Sequence, residues 1–179
     1  MQLVLARCEL RSWRLTDLDS LVANASNPAI SANLRDRFPY PYTRSHGRDF
    51  LRGVRTQHPE VSLAIAVGGQ AVGGIGLRLQ DDIDRVSAEV GYWLGQPYWG
   101  RGVATEAVAA FTPYAMRVHA LTRVFAVPLA RNVRSCRVLE KAGYHLEGRL
   151  RCSVIKNGEV ADTLQYAFVV EKGPPMGSK

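Results

Sequence analysis

The segment from Glu89 to Ala107 restricts the fold more than any other part of the chain. Its first half, through Val90, Tyr92, Trp93 and Leu94, is apolar and aromatic and reads as a strand that Pro97 breaks. A turn carrying Gly95, Gly100 and Gly102 follows. From Val103 the composition becomes helical, with Ala104, Thr105, Glu106 and Ala107. A strand running through a glycine-rich turn into a helix start is a layout for holding a pyrophosphate. Glycines let the backbone approach the ligand closely, and the first amides of a helix have no acceptor inside it. Several such amides converging on ionised oxygens contribute about 1.5–3 kcal/mol each. The same glycines can also make a tight connection with no ligand at all.

Two common phosphate motifs do not fit. No GxxxxGK[ST] sequence occurs, which removes a P-loop. The run Gly100-Arg101-Gly102-Val103-Ala104-Thr105 lacks the third glycine of a dinucleotide fingerprint, and the unit before it reads as antiparallel. The surrounding pattern predicts a mixed α/β sheet. Leu3 to Leu15 alternates as a strand. Thr16 is expected to cap a helix that ends near Ser26, with Asn27-Pro28 as a turn. Thr43 caps a second helix to about Gln57. Val61–Val67, Gly68-Gly69 and Gln70–Leu79 form a hairpin, and Arg85–Leu94 adds a third strand. A helix over Val103–His119 leads to a short strand at Thr122–Val127. A helix over Asn132–Ala142 is closed by Gly143. Strands near Tyr144–Arg149 and Leu164–Val170 complete the pattern.

The chain has 179 residues, which fits one domain over residues 1–172, with 173–179 as a flexible tail. It is 46% hydrophobic and 22% charged, enough apolar material for a core. No apolar run approaches the roughly 20 residues of a membrane span, and Met1–Arg14 has no signal-peptide pattern. Cys8, Cys136 and Cys152 are scattered, and His46, His58, His119 and His145 show no ligand spacing. Reduced thiols, a cytoplasmic location and no metal are expected. The net charge of +7 points to an acidic or phosphate-bearing partner. No long basic run or basic–aromatic interleaving supports nucleic-acid binding.

Trp99-Gly100-Arg101-Gly102-Val103-Ala104 resembles the Q/R-x-x-G-x-G/A pyrophosphate loop of the GNAT superfamily, with Trp99 replacing the usual Gln or Arg. Asn132 and Ser135, then Lys141, Gly143 and Tyr144, then Glu147-Gly148, resemble the N-x-x-S…K-x-G-F/Y…E-G segment of the same superfamily. With Gly91-Tyr92-Trp93 and Ala104-Thr105-Glu106-Ala107, the pattern is similar to the RimJ/RimL-type branch over Leu3 to about Val170. The resemblance implies a GNAT fold, a mostly antiparallel sheet of about seven strands flanked by about four helices. It implies acetyl-CoA as co-substrate and an amine acceptor, either a protein N-terminus or a small molecule. It implies donor contacts at Trp93, Leu94, Trp99, Gly100, Arg101, Gly102, Val103, Ala104 and Thr105. Asn132 then bonds the pantetheine arm and Ser135 lies near the sulfur. The acceptor is expected between Phe38–Tyr42 and Arg149–Ser153. A monomer or homodimer fits this class.

Acylating an amine requires a neutral nitrogen, donors for the developing oxyanion and a proton for the leaving thiolate. Glu89 is the candidate base. On an alternating strand it shares a face with Gly91 and Trp93, among apolar neighbours that desolvate it. A structural carboxylate paired with an arginine such as Arg85 is the competing reading. Ser135 is the candidate acid or thiolate stabiliser, or else a solvated helix hydroxyl. Asn132 also fits an ordinary helix N-cap. Tyr144 reads as core and Cys136 as packing. A further glutamate of some RimL-type enzymes falls at or near Val154, which has no titratable group. Two other functions share these features: a non-catalytic acyl-CoA-binding module, and a transferase of succinyl or longer acyl groups.

Overall fold

The computed structural model describes residues 1–170. The expected C-terminal tail, 173–179, lies outside the described residues. The strands are β1 (Gln2–Val4), β2 (Glu9–Arg11), β3 (Ser62–Val67), β4 (Gln70–Leu79), β5 (Ser87–Leu94), β6 (Arg123–Ala126), β7 (His145–Lys156) and β8 (Glu159–Val169). The helices are α1 (Leu18–Ala25), α2 (Pro28–Ser31), α3 (Arg44–Val54), α4 (Val103–Val118) and α5 (Val133–Lys141). All eight strands join one sheet in the order β1-β2-β3-β4-β5-β6-β8-β7. Every pairing is antiparallel except β5 with β6, which are joined through α4.

Both faces of the sheet are covered. Leu63 and Ile65 of β3 point to one side, where they meet Val108 and Phe111 of α4 and Leu139 of α5. Ala64 of the same strand points to the other side, under Trp13, Leu21 of α1 and Leu51 of α3. Burial on both faces explains why β3 reads as a continuous apolar run rather than an alternating one. An ion pair seals the second layer. Arg11 and Asp17, both buried, form two parallel bonds of 2.8 and 2.7 Å.

Several sequence expectations need correction. The expected mixed sheet of about seven strands is found with eight among the described residues, because Leu3–Leu15 is two short strands. Its chain reverses where the Leu5 amide donates to the Cys8 carbonyl at 2.9 Å, placing Val4 opposite Glu9. Among the described residues there are five α-helices, because Asn27-Pro28 starts one instead of making a plain turn. The Asn27 carboxamide oxygen accepts from the Ala29 amide, and Pro28 occupies the first position, where its missing N–H costs nothing. Thr16 does not cap α1. Residues Leu15–Asp17 form a single 3-10 turn, in which the Asp17 carboxylate accepts from the Arg14 amide at 2.8 Å. β7 and β8 run several residues further toward their turn than expected, closing at Lys156 opposite Glu159.

The pairing that shapes the site is between β5 and β6. They are joined only over Ser87–Glu89 and Arg123–Phe125. Beyond Glu89, β5 stays with β4 as far as Leu94, while β6 follows β8 to Ala126. The sheet therefore opens between them.

Candidate active site

The opening is the floor of a cavity of about 770 Å³, within the usual range for a small-molecule site. Glu89, Gly91 and Trp93 of β5 line it, as do Asn132, which precedes α5, and Ser135 of α5. Phe38 and Tyr42, from the segment between α2 and α3, form an aromatic wall with Trp93; the Phe38 ring centre is 5.1 Å from Tyr42 and 5.6 Å from Trp93. Val127 and Pro128, after β6, also border the cavity, and Arg149–Ser153 do not line it. In the sheet, β6 and β8 both lie between β5 and β7.

Glu89 sits on the face shared with Gly91 and Trp93, but its surroundings are not apolar. Its carboxylate accepts from Arg35 Nη2 at 2.6 Å and from Arg78 Nε at 3.1 Å, with a second bond from Arg78 Nη2. Arg78 lies directly across the β4–β5 ladder. Arg85, the expected partner, instead donates to the Asp82 carbonyl. Only 11% of the Glu89 side chain is exposed, against 54% and 53% for the two arginines. A carboxylate offers about four lone-pair positions, so three bonds leave one for a further donor.

On the opposite face of β5, the Tyr92 hydroxyl lies 2.8 Å from the Ser135 hydroxyl and 3.2 Å from the Ser135 carbonyl. Burial pushes the Tyr92 phenol well above its ordinary value near 10. It is therefore a neutral donor at physiological pH. Asn132 caps α5, its side-chain oxygen accepting from the Ser135 amide at 3.3 Å. This cap fixes where Ser135 sits in the first turn.

At the end of β5 the chain enters the glycine turn. Gly100 and Gly102 adopt φ of +74° and +79°, left-handed values that side chains resist, and Gly102 is the N-cap of α4. The first helical bond runs from the Glu106 amide to the Gly102 carbonyl. The amides of Gly100, Arg101, Gly102, Val103, Ala104 and Thr105 have no protein acceptor among the described residues. Trp99 packs the turn: its indole N–H donates to the Leu94 carbonyl at 2.7 Å, and Arg134 lies over its ring. Arg7 also flanks the turn. A Cβ at Gly102 would stand 3.2 Å from Arg7 Nε, and the Arg7 amide is tied to Glu106 at 2.8 Å. Arg7, Arg101 and Arg134 thus place cationic charge around bare amides, the combination that attracts phosphate.

The structure gathers Glu89, Trp93, Asn132 and Ser135 around the cavity, and Trp99 to Thr105 at the helix start. The side chains of Trp93 and Leu94 do not join the turn. Trp93 faces Phe38, and Leu94 is buried in the core. Tyr144 is a core residue, its hydroxyl 2.7 Å from that of Thr112. Cys136 is buried and its thiol is pushed up by desolvation, a packing residue's environment. Sequence reasoning missed Arg35, Arg78 and Tyr92. Counting back across the Asp81–Asp84 turn puts Arg78 opposite Glu89, so that signal was available; the approach of Arg35, 54 residues away, had none. No group of His, Cys, Asp and Glu among the described residues is arranged to hold a metal, and none of their helices is long and apolar enough to cross a membrane.

A mixed sheet opened between two parallel neighbours, with a bare-amide helix start between them in the chain, is the architecture of an acetyltransferase (GNAT) domain. A family model described as an acetyltransferase (GNAT) domain matches residues 7–145, and the chain belongs to that family. It is an N-acetyltransferase. The uncharacterized N-acetyltransferase p20 of Bacillus licheniformis is 27% identical over 169 residues, covering 91% of this chain and 93% of that protein. RimL, a ribosomal L7/L12 alpha-N-protein acetyltransferase solved with coenzyme A, superposes with a TM-score of 0.80 at 23% identity, covering 94% of this chain and 97% of RimL. Mycobacterium smegmatis RimJ, solved with a CoA disulfide, gives 0.79 at 23% identity, covering 92% and 82%.

Proposed function

We propose that the chain transfers an acetyl group from acetyl-CoA to a primary amine by direct attack in a ternary complex. The acceptor is the α-amine of a protein N-terminus or of a small molecule. One observation carries this reading: six successive amides without acceptors, at the end of the strand that also supplies Glu89. The amides of Gly100–Thr105 suit the pyrophosphate of the co-substrate, and Asn132 suits its pantetheine arm.

In the reaction the amine nitrogen attacks the thioester carbonyl carbon. The C–N bond forms, the C–S bond breaks, and the nitrogen loses one proton while the thiolate gains one. Glu89 takes the nitrogen's proton through its remaining lone pair, directly or through a water. Ser135, with Tyr92 behind it, supplies the donor to the sulfur. An α-amine titrates near 7.7–8.0, so roughly a tenth is neutral at pH 7, against about one in several thousand for a lysine side chain. An α-amine therefore asks less of Glu89 than a lysine side chain does.

Calorimetric titration with acetyl-CoA is the first test, repeated on Gly102→Pro, since proline cannot reach φ of +79°. Micromolar binding lost in the variant supports the donor site, and no binding to the wild type defeats it. Thiol release with amine acceptors then tests transfer. The three bonds on Glu89 also fit a non-catalytic acyl-CoA-binding module, in which that carboxylate is purely structural. Tight CoA binding without turnover of any amine identifies that case.

A further inference from the structure

We infer that Arg35 and Arg78 are an anion-recognition pair, and that the preferred acceptor carries a carboxylate or phosphate a few bonds from the amine it presents to Glu89. This rests on the transferase reading above and adds the acceptor's chemical class.

The argument begins with depth. Glu89 is nearly buried, and both guanidiniums that hold it are about half exposed. An acceptor entering from solvent meets the two cations before the carboxylate. A guanidinium has five N–H donors. Arg35 uses Nη2 on Glu89, and Arg78 uses Nε and Nη2. The remaining donors form an edge that is free to take a ligand oxygen. Planar guanidiniums match carboxylate and phosphate groups bidentately. Arg37 lines the same cavity, and Asp49 is the other carboxylate there besides Glu89, so cations are in excess around it.

The geometry also separates acceptor classes. A cationic or polyamine acceptor must bring its charge past two guanidiniums, which repel it. An acceptor with its own anion can bind the free edges of Arg35 and Arg78 while its amine takes the last lone pair of Glu89. The anion then stands close to the amine, as in a free α-amino acid, an N-terminal aspartate or an N-terminal phosphoserine. Arg35 sits on the segment between α2 and α3, and Arg78 on β4 in the β4–β5 ladder.

The test compares matched acceptors: a peptide beginning with Asp against Asn, one beginning with phosphoserine against serine, and a free amino acid against its amide. At least one anionic member is expected to exceed its neutral partner tenfold or more in kcat/KM, and which pair responds identifies the source of the anion. Arg35→Gln and Arg78→Gln each collapse that ratio, mainly through KM, and Arg35→Lys restores part of it. A merely structural tie lowers thermal stability and changes both members of a pair equally. Independently of turnover, N-acetylaspartate is titrated into the CoA-loaded protein against N-acetylasparagine amide, which carries no carboxylate. Transfer to all acceptors without anionic preference, together with equal binding of the two acetylated compounds, overturns the inference and leaves the transferase reading standing. Acetyl-CoA binding with no transfer to any acceptor removes the transferase reading, and the inference with it.

Discussion

The Tyr92 hydroxyl stands 2.8 Å from the Ser135 hydroxyl, joining β5 to the first turn of α5 across the opened sheet. A hydroxyl has one proton, so when the Tyr92 proton goes to the Ser135 carbonyl, the Ser135 proton is directed at Tyr92. In the proposed reaction Tyr92 donates to the Ser135 hydroxyl oxygen instead, and the Ser135 proton turns toward the sulfur. Tyr92 acts here as a positioning residue that selects the Ser135 rotamer. Tyr92→Phe is expected to lower kcat about tenfold, in line with one lost hydrogen bond of about 1–1.5 kcal/mol. Acetyl-CoA affinity stays within a few-fold. Ser135→Ala should have a larger effect on kcat, and adding Tyr92→Phe to it should do little more, since the two groups act as a unit. Additive losses in the double variant sink this assignment.

The glycine turn makes a sharper prediction about binding. Gly102 has φ of +79°, and a Cβ there would press against the Arg7 side chain at 3.2–3.3 Å. Arg7 is exposed and its far end can move aside, so the backbone strain dominates, at about 1 kcal/mol or more. Gly102→Ala is expected to weaken acetyl-CoA binding about tenfold with little change in fold, and Gly102→Pro to abolish it. Equal affinity for all three proteins by calorimetry separates the turn from the donor site.

Arg11 and Asp17 predict where the fold is most sensitive. Both are buried, and Arg11 also donates to the Ser12 and Gly69 carbonyls. Asp17→Asn leaves a buried guanidinium without its counter-charge and should cost about 3–5 kcal/mol in urea unfolding. The same carboxylate anchors the Arg14 amide, so the start of α1 loosens as well. Replacing both residues by Met and Leu should recover most of the loss, because two apolar groups have no charge to desolvate. A small loss in Asp17→Asn means that water reaches the site.

These two regions also mark what could be read from the sequence. Gly68-Gly69 closes β3 to β4 with Val67 opposite Gln70, as their composition demanded. The Thr43 hydroxyl caps α3 by accepting from the His46 amide, and Gly143 ends α5 at φ of +90°. Each is local chemistry, visible within a few residues. The β1–β2 reversal was hidden because Ala6-Arg7 carries no glycine, asparagine or proline, so the alternation runs through the turn uninterrupted. Arg35 reaches Glu89 only through the tertiary fold, and so does Arg131, which donates to the Ala32 carbonyl 99 residues away. The sheet order β6-β8-β7 likewise depends on which strand β6 meets. The glycine turn, Asn132 and Ser135 were legible as motifs; the environment of Glu89 was not.

Buried thiols give the last prediction, a loss of stability in mild alkali. Desolvation first, then the nearby Glu106 carboxylate, pushes the Cys8 thiol up to about 12. In the unfolded chain a cysteine titrates near 8.5. Between these values the unfolded state has released the proton and the folded state still holds it. The unfolded state therefore binds fewer protons, and stability falls as pH rises above about 8.5. The limiting slope for one such group is about 1.4 kcal/mol per pH unit. Cys136, also pushed up by burial, adds to it. Urea unfolding at pH 7.5, 8.5 and 9.5 should show a declining midpoint, and Cys8→Ala should flatten the decline even though it costs stability at pH 7.5. The same shift keeps Cys8 protonated and slow toward a thiol reagent in the native state, while the exposed Cys152 is open to it. An unchanged slope in Cys8→Ala, or modification of Cys8 as fast as Cys152, shows that Cys8 is solvated in the folded protein.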